Sequence, residues 1–105
     1  MPEFVTVASV AEIAEGTAKA FNVNGESIAV VRCGGAFYAL NNICSHAYAE
    51  LADGDVDPDE CTIECPLHGS LFRLETGRPR SLPAVLPVAT YPVQIVGDDI
   101  QVAVS

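Results

Sequence analysis

Basic residues are scarce in these 105 residues: Lys19 is the sole lysine, and His46 and His68 are the only histidines. Five lysines and arginines stand against fourteen acids, for a formal charge of −9. That balance argues against nucleic acid as a partner, because phosphate binding needs clustered cations. No apolar run approaches the ~20 residues that cross a bilayer, which excludes a spanning helix. The start, Met1-Pro2-Glu3-Phe4, lacks the basic end and apolar stretch of an export signal, so the expected location is the cytoplasm. There is no sustained helical periodicity, no repeat, no interdomain linker, and no nucleotide or flavin motif.

Half of the residues are hydrophobic, enough for one domain over 1–105 that buries roughly two-thirds of its extended-chain surface. The pattern is that of short strands. Phe4 to Val7 reads as a strand, with at most one helical turn around Val10 to Ile13. Thr17 to Val23 and Ser27 to Val31 flank Asn24-Gly25, a hairpin signal because both positions tolerate positive φ. Ser27 to Val31 is apolar on both faces, which predicts a central position. Ala36 to Leu40, Cys61 to Glu64 and Leu71 to Leu74 are further short strands. Pro79, Pro83 and Pro87 exclude helix and central strand between 78 and 87. Tyr91, Val93 and Ile95 alternate, Gly97-Asp98-Asp99 turns, and Ile100, Val102 and Val104 alternate again. The expected fold class is all-β and antiparallel.

Four cysteines in a chain without an export signal point to metal ligation before disulfides. Two loops carry that chemistry: Cys44-Ser45-His46 and Cys65-Pro66-Leu67-His68-Gly69-Ser70, with 18 residues between them. Each offers one thiolate and one imidazole, at i, i+2 and i, i+3, spacings that suit loop tips. Pro66 stiffens the second loop and Gly69 lets the chain leave sharply. A zinc finger of the Cys₂His₂ kind groups its cysteines in one half and its histidines in the other. One of each per loop suits a binuclear cluster with two cysteines on one iron and two histidines on the other.

With these loops, Phe72, Thr76-Gly77, Pro83-Ala84 and Tyr91-Pro92-Val93, the chain resembles bacterial Rieske-type [2Fe-2S] ferredoxins over nearly its whole length. The resemblance implies a basal β-sandwich or barrel with a small cluster-binding subdomain, whose ligand loops lie around 43–50 and 64–71. It implies that Cys44 and Cys65 hold the inner iron and His46 and His68 the outer iron at the tip. Ser70 would donate to a bridging sulfide, and the loop of Pro83 would cover the cluster. It further implies a one-electron carrier between a flavin-containing NAD(P)H reductase and a terminal ring-hydroxylating oxygenase, docking transiently at the histidine tip, with no catalysis of its own. The alternatives are a small subunit of a larger reductase such as a nitrite reductase, a Rieske protein serving a monooxygenase, and a structural Cys₂His₂ zinc module.

Departures from the respiratory members of that family are informative. Those proteins carry an extra cysteine in each ligand loop, where this chain has Ala49 and Leu67, and a tyrosine where it has Phe72. Without the disulfide and the hydroxyl, the expected potential lies near the low end of the Rieske range of about −150 to +300 mV, Ser70 pulling modestly the other way. Cys33 and Cys61 belong to no paired motif and are expected as small buried hydrophobes; a disulfide between them is the alternative, against which the expected compartment argues. The segment from 50 to 64 holds seven of the fourteen acids and is expected as a looser turn near the cluster, serving either as a docking surface or as a solvated loop.

Overall fold

The computed structural model describes residues 3–44, 49–67, 69–80 and 86–104. These residues form ten strands: β1 (Phe4–Ser9), β2 (Ala18–Val23), β3 (Glu26–Cys33), β4 (Ala36–Asn41), β5 (Val56–Asp57), β6 (Thr62–Glu64), β7 (Leu71–Arg73), β8 (Thr90–Tyr91), β9 (Val93–Val96) and β10 (Asp99–Ala103). Single 3-10 turns at Val10–Glu12 and Leu51–Asp53 are the helical elements among the described residues. None of these residues forms a helix long and apolar enough to cross a membrane. All pairings are antiparallel and make three sheets: β1-β10-β9, β2-β3-β4-β8 and β5-β6-β7.

The doubly apolar sequence of β3 has a direct physical cause. Ile28 and Val30 face one core, with Ala8, Val23, Ile100 and Val102. Val31 and Cys33, further along the strand, face a second core, with Leu51, Ile63, Phe72 and Leu74. Because side chains alternate across a strand, the stretch of β3 that lies between two cores, Ile28 to Val31, is apolar at every position. The first core fills the sandwich between the sheet of β1, β9 and β10 and the sheet of β2, β3, β4 and β8. The second joins that same middle sheet to the small sheet of β5, β6 and β7, which carries the second cysteine loop.

Turns fall where the chain's conformational needs predict. Asn24 and Gly25 have φ of 51° and 85° and close the β2–β3 hairpin, in which Val23 faces Glu26. Gly34 and Gly35, also at positive φ, close β3–β4. Their amides donate to both carboxylate oxygens of Glu15 at 2.6 and 2.8 Å. Those two donors hold the Glu15 carboxyl below its ordinary pKa.

Two expectations are corrected. Cys33 and Cys61 are not separate buried thiols but a disulfide, with Cα atoms 5.9 Å apart. The expected compartment weighed against the pair, and the contact that makes it is tertiary: the end of β3 meets the turn that opens β6. The acidic segment is likewise no loose turn. It holds the second 3-10 turn and β5, and the Asp57 side chain accepts the amides of Asp59 and Glu60 at 2.9 and 3.2 Å. Arg80, from beyond the segment, pairs with Glu60 at 3.0 Å.

Candidate metal centre

Both cysteine loops are built the same way. The Cys44 amide donates to the Ala49 carbonyl at 2.9 Å, and the Cys65 amide donates to the Ser70 carbonyl at 2.7 Å. Each closure therefore spans six residues of sequence, four of them between its ends. Outside these closures the pairing continues as a bridge of Ile43 with Glu50 and as Glu64 facing Leu71 in the β6–β7 ladder. In the second loop Gly69, at φ 73°, returns its amide to the Cys65 carbonyl at 2.9 Å. That left-handed position is the one the sequence assigns to a glycine.

The two cysteines open their loops from within one core. Cys44 is 4% exposed and Cys65 fully buried, and both belong to the core of Leu51, Ile63 and Phe72. Neither is in a disulfide. With Cys33 and Cys61 bonded to each other, the four cysteines divide cleanly into a bonded pair and a reduced, buried pair. Reduced thiols are what a metal centre needs from this chain.

Glycine joins the two loops. Gly54, just beyond the first loop, lies so close to the Glu64 carbonyl that a Cβ there would overlap it. The Glu64 amide donates to the Asp55 carbonyl at 2.8 Å. The chain leaving the Cys44 loop thus runs against the residue that precedes Cys65. Between the loops lies a cavity of about 320 Å³, lined by Ala49, Glu50, Asp53, Pro66 and Leu67.

His46, His68 and Pro83 lie outside the described residues, as does Ser45. Among the described residues no group of three or more histidines, cysteines or acids is placed to hold a metal. Two thiolates alone cannot complete the four ligands of a binuclear cluster. By sequence each closed loop contains one histidine, so the donor set of the two loops fits a cluster held by two sulfurs and two nitrogens.

The chain matches the Rieske [2Fe-2S] domain over residues 3–92. It belongs to the Rieske family. The ferredoxin subunit of 3-phenylpropionate/cinnamic acid dioxygenase from Shigella flexneri is 44% identical over 91 residues, covering 87% of this chain and 84% of that protein. The ferredoxin of carbazole 1,9a-dioxygenase from Nocardioides aromaticivorans superposes with a TM-score of 0.92 at 44% identity, over 98% of this chain and 97% of its own. A carbazole 1,9a-dioxygenase ferredoxin solved in complex with its oxygenase superposes with a TM-score of 0.88 at 35% identity, over 95% and 92% of the two chains. This Rieske protein accordingly carries a [2Fe-2S] cluster and is an electron carrier of the ferredoxin kind.

The departures from respiratory Rieske proteins have a structural form here. Ala49 packs part-buried against the second core, while Leu67 projects with 60% of its surface exposed. Phe72 is fully buried in the same core as both cysteines and brings no hydroxyl to them. Ser70 is fully buried beside Cys65.

Sequence reasoning missed two residues that build this site. Gly54 acts through a tertiary contact that no spacing signals. The second, Asn42, sits two positions before Cys44, and a polar residue just ahead of a cysteine loop was its one visible sign.

Proposed function

We propose that this Rieske ferredoxin is the electron-carrying component of an aromatic-ring-hydroxylating dioxygenase system in the cytoplasm. Cys44 and Cys65 would hold one iron through thiolate sulfur, and His46 and His68 the other through imidazole nitrogen. When bound, the cluster supplies one electron per cycle. The protein's own residues do the remainder: the second core shields the two thiolates from water, the closures hold each loop's ends together, and the contact of Gly54 and Asp55 with Glu64 keeps the two loops side by side. A flavin-containing NAD(P)H reductase would load the electron and a terminal oxygenase would receive it, each docking transiently at the histidine tip. The observation that carries this reading is the pair of identically closed loops, each rooted on a buried, reduced cysteine. The relatives support it: they are ferredoxin subunits of dioxygenases, and one is captured with its oxygenase.

The surface beside the loops suits docking better than simple solvation. Leu67 stands exposed at the second loop's tip, and Glu50 and Asp53 border the cavity between the loops. An apolar knob edged by carboxylates fits a partner with an apolar recess flanked by arginine or lysine, which would also steer the encounter. Stopped-flow oxidation of the reduced ferredoxin by a terminal oxygenase is the test. Raising ionic strength should slow the second-order rate about tenfold, and Leu67→Asp should slow it at least as much without changing the cluster's absorption spectrum. A rate indifferent to both would refute the docking face. Failure to accept electrons from any flavin reductase would refute the wider assignment.

A further inference from the structure

Asn42 is fully buried and spends all of its hydrogen-bonding groups on one task. Its backbone amide donates to the Ser27 carbonyl at 2.9 Å, and its carbonyl accepts the Leu51 amide at 2.6 Å. Its side-chain oxygen accepts the Ala52 amide at 2.9 Å. Because that partner is a donor, the orientation of the carboxamide is fixed, and Nδ2 must donate. It does so to Ser27 Oγ at 3.1 Å and to Glu50 Oε1 at 3.0 Å.

These five bonds have a single geometric consequence. Asn42 lies on the chain entering the Cys44 loop, whereas Glu50, Leu51 and Ala52 lie on the chain leaving it. Ser27 belongs to β3, the strand shared by both cores. One side chain and its own peptide groups therefore bind the loop's entry, its exit and the basal sheet together. Only a carboxamide has both a donor pair and an acceptor at this size. The buried position makes each bond matter, since an unsatisfied group there costs about 1–3 kcal/mol.

We propose that Asn42 is the positioning residue of the cluster site, holding the Cys44 loop on β3 in one geometry and so fixing the environment of the iron pair. This rests on the assignment of Cys44 and His46 as ligands. A wild-type protein that binds no cluster would defeat that assignment. The variants below, compared with a wild-type protein that does bind it, test Asn42 alone.

The test exchanges donor and acceptor. In Asn42→Asp the new carboxylate confronts Glu50, and neither group can donate. In the double variant Asn42→Asp with Glu50→Gln, the glutamine amide donates to the aspartate, restoring the bond with its polarity reversed. For the intact, cluster-loaded protein we expect N42D to shorten the half-life of the visible absorption in air at least tenfold. We also expect it to broaden the EPR signal of the reduced state as the loop samples several geometries. The double variant should recover most of both. Glu50→Ala, which deletes one exposed partner and leaves the fold intact, should fall between wild type and N42D in half-life. A residue that merely stabilised the fold would lower the unfolding temperature without changing the EPR line shape of the loaded protein. The proposal is overturned if the loaded N42D protein keeps the wild-type signal and half-life. It is overturned equally if the double variant is no better than N42D, or if N42D does not fold and Glu50→Ala behaves as wild type.

Discussion

Replacing Gly54 with alanine is expected to cost about 3 kcal/mol and to leave the protein largely without cluster. Its φ of −88° is ordinary for any residue, so backbone strain is not the cause. The cause is the Glu64 carbonyl, which occupies the space a Cβ would need. Backbone on both sides of the contact is pinned, by the Gly54 amide on the Leu51 carbonyl at 2.9 Å and by the Glu64 amide on Asp55 at 2.8 Å. Relief must therefore come from moving Glu64, and Cys65 moves with it. Gly97→Ala is the control, because nothing lies within 4 Å of its added methyl group and only its φ of 61° is adverse. That variant should lose about 1 kcal/mol and keep its colour. At ~4 °C per kcal/mol for a domain of this size, thermal unfolding would place the two variants several degrees apart. Iron content per chain would separate them more sharply still.

Removing the Cys33–Cys61 disulfide is the second change with a large expected effect. The cysteines are 28 residues apart in sequence, and closing a loop of that length restricts the unfolded chain by about 3–4 kcal/mol on the chain-entropy account. The double variant Cys33→Ala, Cys61→Ala should therefore melt roughly 10 °C or more below wild type. Its cluster content when freshly reconstituted should be unchanged, because neither residue lies in a ligand loop. Cys44→Ala or Cys65→Ala should do the opposite, abolishing the visible absorption in a chain whose disulfide is intact. Thermal unfolding and iron analysis on the same four preparations would test both halves of that division. Loss of iron in the Cys33/Cys61 variant would show that these two sulfurs are ligands, and the assignment of sites would be wrong.

How far the sequence carried depends on whether the determining contact was local. Strands, hairpin turns and the central place of β3 follow from alternation and from residues such as Asn24, Gly25 and Gly69 whose backbone needs are written in their identity. The two cysteine loops stood out because metal chemistry demands specific residue types at specific spacing, and the structure places Cys44 and Cys65 at corresponding positions of matching loop closures. What stayed hidden depended on the third dimension. Cys33 and Cys61 read as small buried residues, with their pairing only the lesser alternative, until the end of β3 is brought against the turn before β6. Gly54 sits among aspartates in what reads as loose acidic chain, and its necessity appears only when the Glu64 carbonyl is beside it. Asn42 gives no hint from its neighbours that it joins Ser27 to Glu50 and Ala52, residues on both sides of it in the chain.

The central claim is that two thiolates and two imidazoles share one binuclear cluster in this protein. The direct measurement is pulsed EPR of the anaerobically reduced protein, with iron and sulfide determined on the same sample. The account predicts two irons and two sulfides per chain, and hyperfine couplings from two histidine nitrogens that disappear in part when either His46 or His68 is replaced. A colourless protein containing stoichiometric zinc, or a cluster signal without nitrogen coupling, would contradict it.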